Sequence, residues 1–162
     1  MQIAVIGTGY VGLVSGACFA DLGHTVVCVD IDPEKIRKLE AGIIPIYEPG
    51  LDEMVARTVA AGNLSFTTEI SEAVPGADAA ESIAAAMTGY TVIVDKSTVP
   101  VGTSREVTKI ISRMRDASEF DVASNPEFLR EGAAIGDFMN PDRIVVGIRS
   151  DRAREVMANV YK

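Results

Sequence analysis

The chain has 162 residues, 48% of them hydrophobic, with 23 acidic against 15 basic side chains and a formal net charge of −8. There is apolar surface enough for a real core, which excludes a disordered segment, and the acidic balance argues against nucleic acid or an anionic membrane as the main partner. Tryptophan is absent and aromatics are 6%, so the core must come from Val, Ile, Leu and Ala, the palette of a buried parallel sheet.

QIAVI (2–6) reads as a first buried strand. The N-terminus has no cationic region of the kind that opens a signal peptide, and no apolar run approaches the ~20 residues of a membrane helix. GTGYVG follows and opens a helix over about Val11 to Leu22, with Val11, Val14, Cys18 and Leu22 on one stripe. TVVCVD (25–30) is the second strand. Asp32 and Pro33 supply an N-cap and a first-turn proline for a helix through Leu39. IPIYEPG (44–50) is a turn-rich loop. Leu51, Met54, Val55, Thr58 and Val59 mark an amphipathic helix that Gly62 stops, and LSFT (64–67) is a third strand. TVIVDKS (91–97) is a strand. TSRE (103–106) has capping-box spacing, and its helix buries Val107, Ile110, Ile111 and Met114. FDVAS (120–124) and RIVVGI (143–148) are further strands, and 151–161 is a helix. Such alternation implies right-handed βαβ units and an α/β fold, a doubly wound parallel sheet of the dinucleotide-binding (Rossmann) type. Cys18 and Cys28 fall inside core elements, which points to a reduced, cytoplasmic protein.

One stretch breaks the alternation. Between LSFT and TVIVDKS a strand is due, yet EISEAVPGADAAESIAAAMTG offers only helix-like and turn-like residues. In the order 3-2-1-4-5-6 the fourth strand lies beside the first, and its loss would leave unpaired backbone inside the sheet. The expectation is a segment missing near Asp78–Glu81, with a break in the chain between about Ala77 and Ser82. A true deletion would instead run unbroken through Ala79–Glu81 and pair strand 2–6 directly with 91–96.

Gly7, Gly9 and Gly12 set G-x-G-x-x-G between a strand and a helix, the context this motif requires. Gly7 permits the tight turn, Gly9 lets the backbone approach a pyrophosphate, and Gly12 allows close packing of helix on strand. Asp30 closes the second strand about 20 residues on, where it would hold the adenosine ribose and repel a 2′-phosphate. NAD is therefore expected rather than NADP. The competing explanation is a tight turn that binds nothing.

STVPVGT (97–103) lies where a strand hands over to a helix, at the ligand-binding edge of an open sheet. It reads as a turn with a helix cap, in which Thr98 offers a hydroxyl and Pro100 fixes the bend. SNPEFLREG (124–132) follows the next strand, so Glu127 and Glu131 should face that same edge. A carboxylate beside a threonine hydroxyl can orient or deprotonate a water. Two solvated acids that start a short helix explain the same residues equally well. His24, the one histidine, is a loop-packing residue, and Cys18 and Cys28 are small core hydrophobes.

In order along the chain, AVIGTGYVGLVSGACFADLGHTVVCVDIDPEKI, IPIYEPGLDEMV, KSTVPVGT, SNPEFLREG and NPDRIVVG resemble the N-terminal NAD-binding domain of the nucleotide-sugar dehydrogenases, the UDP-glucose/GDP-mannose dehydrogenase family. PIYEPGL resembles the UDP-glucose 6-dehydrogenase branch more than the GDP-mannose branch. The resemblance implies oxidation of the C6 alcohol of UDP-glucose to UDP-glucuronate by two NAD, through a thioester on a cysteine that is then hydrolysed. It implies that Gly7, Thr8, Gly9, Tyr10, Val11 and Gly12, with Asp30, Lys35, Thr98 and Glu131, hold NAD. Thr98 and Glu127 would manage the water and protons of the hydrolysis. Glu127, Phe128, Leu129, Arg130 and Glu131 would touch the UDP-sugar, and no metal is implied. The complete enzyme would be a cytoplasmic homo-oligomer, without nucleic-acid or membrane partners.

The sequence departs from that pattern twice. The family's fourth strand, with its V-G-T-P loop as an NAD contact, has no counterpart at the gap. The central helix and the C-terminal UDP-sugar domain, which carry the cysteine in a G-G-S-C setting, lie outside this chain. A GDP-mannose or UDP-N-acetylmannosamine dehydrogenase, or an NAD-binding module without catalysis, are the alternative readings.

Overall fold

In the computed structural model, which describes residues 1–68 and 79–162, strands and helices alternate in two units. One unit is built on residues 1–68 and 128–142, the other on 79–127 and 143–162.

In the first unit β1 (Gln2–Ile6), β2 (Thr25–Val29) and β3 (Leu64–Thr67) pair in parallel in that order. This is one half of a doubly wound sheet. The register sets Ile6 beside Val29 and Val29 beside Thr67, so all three strands end together at one carboxyl edge. Helix α1 (Tyr10–Asp21) is buried at every residue from Leu13 to Ala20, not along one stripe. It packs on the sheet and on α3 (Leu51–Ala60), so small residues on several sides are covered, while Leu22, expected inside, is exposed. Helix α2 (Pro33–Glu40) starts as its sequence demands: the Asp32 side chain accepts the N–H groups of Glu34 and Lys35. Leu51, Met54, Val55 and Thr58 are buried in α3, whereas Val59 is exposed.

In the second unit α4 (Ala79–Ala86) and α5 (Thr103–Ile111) accompany the parallel pair β4 (Thr91–Asp95) and β5 (Phe120–Ser124). Ala80, Ala84, Met87, Ile93, Ile111 and Phe120 make its core. Three expectations need correction here. Helix α5 has no side-chain cap: its N-cap is Gly102 at φ +105°, and the Thr103 hydroxyl donates to the Pro100 carbonyl instead. Because α5 stops at Ile111, Met114 lies beyond it and is exposed. RIVVGI is not a strand, since only Gly147 bridges, antiparallel, to Ser124, and Ile144 and Val145 are exposed. The chain continues through α6 (Ala134–Met139), which belongs to the first unit and was not expected, and α7 (Asp151–Val160).

Of the span from about Ala77 to Ser82 in which a break is expected, only residues 77–78 lie outside the described residues. From Ala79 onward α4 is continuous, so no interruption lies within Ala79–Ser82. Among the described residues β1 pairs with β2 and β4 pairs with β5.

Candidate active site

The first group of candidate residues grows from the carboxyl edge of β1 and β2. Gly7, at φ +93°, donates its N–H to Val29 O at 2.7 Å and turns the chain away from the sheet. A Cβ on Gly12 would lie 1.9 Å from Gly7 O, so only glycine lets α1 settle on that turn. Gly9 is the N-cap of α1 and brings no side-chain cap, which leaves the first-turn N–H groups available to an anion.

Asp30 fastens this turn. One carboxylate oxygen accepts the Thr8 N–H at 2.8 Å, the Thr8 hydroxyl at 2.6 Å and the Lys35 ammonium at 2.8 Å, and the other accepts the Asp32 N–H at 3.1 Å. Burial alone would raise its pKa. The donors from Lys35, Thr8 and Asp32 outweigh burial and hold the carboxyl well below the usual range. A glycine turn on which α1 settles only because Gly12 lacks a Cβ, an uncapped helix N-terminus and an ionised acid at the next strand's end together fit a dinucleotide's pyrophosphate and ribose.

Tyr10, on the first turn of α1, donates its hydroxyl to Glu48 Oε2 at 2.5 Å. Burial, then the hydrogen bond to Glu48 and its charge, push the phenol up to about 12. Glu48 also accepts the N–H groups of Gly132 at 2.8 Å and Ala134 at 2.9 Å. Phe128, Arg130 and Glu131 of the same unit are exposed and Leu129 is half-buried. Arg130 is engaged in a forked pair with Asp137, at 2.9 and 2.6 Å.

The second group sits on β4 and β5. Their ends, Asp95 and Ser124, are register partners, so Thr98 and Glu127 each follow three residues beyond the same edge. Thr98 is exposed and Glu127 half-buried. Between these loops Lys96 donates to Asn125 Oδ1 and to the Tyr161 hydroxyl, both at 3.2 Å. Tyr161 also donates to Asn125 Oδ1, and Asn125, 1% exposed, donates to Val145 O at 2.9 Å. Burial lowers the Lys96 pKa to about 8, against the charge of Glu127, which raises it. The edge thus holds a hydroxyl, a carboxylate and an amine poised near neutrality.

Glu48, Lys96 and Asn125 escaped the reading of the sequence. Each is a polar residue inside a stretch otherwise explained as a turn or strand end. His24 packs in its turn, with Nδ1 3.2 Å from the N-terminal nitrogen. Cys18 and Cys28 are buried free thiols, and desolvation pushes both up to about 12, far from the thiolate a nucleophile needs.

Comparison with known proteins adds the lineage. The family model for the NAD binding domain of the UDP-glucose/GDP-mannose dehydrogenase family matches residues 1–80 and again 76–162. UDP-glucose 6-dehydrogenase of Rhizobium meliloti (strain 1021) is 52% identical over 188 aligned positions, which take in 100% of this chain and 43% of that protein. Among solved structures, a UDP-glucose dehydrogenase from Pyrobaculum islandicum superposes with a TM-score of 0.90 at 38% identity, over 99% of this chain and 43% of that one. A GDP-mannose dehydrogenase from Pseudomonas aeruginosa gives 0.89 at 30% identity, over 99% and 44%. The chain therefore spans less than half the length of the relatives it matches. Setting 188 aligned positions against 162 residues leaves about 26 positions of the Rhizobium protein without a counterpart here, and the two pieces of the family match meet at 76–80.

Proposed function

The chain belongs to the UDP-glucose/GDP-mannose dehydrogenase family, and from that premise we propose that it is the NAD-binding part of an enzyme that oxidises UDP-glucose at C6 to UDP-glucuronate. The observation that carries this is the 52% identity along the whole chain to a UDP-glucose 6-dehydrogenase. A bound NAD supplies a hydride acceptor. The chain's own residues bind and orient it: the N–H groups at the start of α1 face the pyrophosphate, and Asp30 takes the ribose and repels a 2′-phosphate. Phe128, Leu129, Arg130 and Glu131 would contact the UDP-sugar, and Glu131 would also serve the nicotinamide end of NAD. Thr98 and Glu127 hold the water that hydrolyses the thioester. Its cysteine belongs to a part of the protein outside this chain, because Cys18 and Cys28 are buried and protonated. A reduced cytoplasmic setting suits these two buried thiols, and the complete enzyme is a homo-oligomer in this reading.

The missing segment belongs to the same proposal. About 26 unmatched positions and a family match divided at 76–80 support a lost stretch, which on the family resemblance would carry the fourth strand.

Turnover by the intact protein with UDP-glucose, GDP-mannose and UDP-N-acetylmannosamine tests the reading. UDP-glucose should be the preferred substrate and yield two NADH per molecule consumed. Preference for another sugar would transfer the protein to a neighbouring branch, and no turnover at all would leave an NAD-binding module. In the intact enzyme Glu127→Gln should slow the second stage and accumulate a covalent sugar adduct visible by mass spectrometry. Full activity without adduct would remove Glu127 from the chemistry.

A further inference from the structure

Glu48 has no role in the reaction just described, yet its surroundings are unusual for an acid. It is 5% exposed, and among the described residues no ion pair includes it. Its charge is balanced only by donors: the Tyr10 hydroxyl and the backbone N–H groups of Gly132 and Ala134, with Ile135 N–H turned on it as well. Burial raises its pKa, but these donors prevail and hold the carboxyl below its usual value.

The donors come from two places far apart in the chain. Tyr10 belongs to the glycine loop, and residues 132–135 begin with the glycine that ends EFLREG; Glu48 is 38 residues from the first and 84 from Gly132. The edge-on contact of Phe138 in α6 with Phe19 in α1, with centroids 4.9 Å apart, braces the same junction. A carboxylate is the suitable group, because it accepts on both oxygens and donates nothing. An amide in its place would turn an N–H toward at least one backbone N–H.

We propose that Glu48 is a positioning residue for the UDP-sugar: it holds the 128–134 segment in register against the cofactor loop, so that Phe128, Leu129, Arg130 and Glu131 meet the substrate already ordered. This rests on the function proposed above. Glu48 itself does not touch the substrate.

The test uses the intact protein and the nucleotide sugar it turns over, with binding measured by calorimetry. Glu48→Gln should raise the Kd of that sugar at least ten-fold, while the Kd of NAD on the free enzyme shifts less than three-fold. Tyr10→Phe removes one donor and should raise the sugar's Kd about three-fold without lowering Tm. Unchanged sugar affinity in a folded Glu48→Gln protein overturns the inference. Equal loss of NAD and sugar binding with a falling Tm also overturns it, because that marks a general structural role. If Glu48→Gln does not fold, Tyr10→Phe decides: a raised Kd at constant Tm supports the inference and an unchanged Kd rejects it. If the unmutated protein binds no nucleotide sugar, the functional reading falls together with this inference. If it binds one and both variants bind it equally well, the inference alone falls.

Discussion

Asp30 carries three donors on one carboxylate oxygen, so removing it disturbs both the ligand and the loop that receives it. Asp30→Ala should weaken NAD binding at least ten-fold and narrow the preference over NADP; equal affinity of the unmutated protein for both cofactors would contradict the role given to this acid. Its folded pKa lies below the unfolded one, so its contribution to stability is present above about pH 4 and lost as pH falls toward the folded value. Lys96 also has a depressed folded pKa, about 8 against 10.5. Its contribution is present above pH 10.5 and lost as pH falls through 8, so over that window this residue makes stability rise with pH. Tyr161, pushed up to about 12 by burial, acts in the opposite sense only above pH 10. Lys96→Met in the intact protein should flatten the change in urea midpoint between pH 8 and 10, and an unaltered slope would show that Lys96 is not the group responsible. Asp30 could be read from the sequence because it sits at a strand end beside a glycine motif. Glu48 and Asn125 could not, because their partners lie up to 86 and 36 residues away and only packing brings them together.

Helix α1 shows what periodicity can and cannot say about an element. A stripe of apolar residues locates a helix that is covered on one side, but α1 packs on the sheet and on α3, and its small residues are buried too. Its contact with the β1 turn has no slack. Gly12→Ala places a methyl 1.9 Å from Gly7 O and should cost about 3 kcal/mol or more, as well as NAD binding. Denaturation of the variant measures the cost, and a loss under about 1 kcal/mol would mean that the turn can move aside. RIVVGI failed as a strand for the converse reason. Its β-branched composition is right, but composition does not supply a neighbouring ladder, and only Gly147 finds one. TSRE failed because Gly102 takes the cap in a left-handed conformation that no spacing rule for hydroxyls and acids anticipates.

For the whole molecule, the consequential feature is the absence of a strand on the outer edge of β1 and of β4 among the described residues. If the roughly 26 unmatched positions of the Rhizobium relative belong where the two pieces of the family match meet, at 76–80, inserting them there should raise Tm and tighten NAD binding at least ten-fold. Calorimetry on the two forms checks this, and equal affinities would show that the stretch is dispensable for the cofactor. The sequence by itself determined the α/β class, the three parallel strands of the first unit, the glycine cradle with Asp30, and the inert character of both cysteines. These follow from local rules: alternation, turn chemistry and the residues next to strand ends. Tertiary structure alone decided that Glu48 joins the glycine loop to the segment that starts at the glycine ending EFLREG, and that Lys96, Asn125 and Tyr161 share one part-buried network. Hydrogen bonds between residues far apart in the chain depend on where the backbone carries them, and no local pattern encodes that.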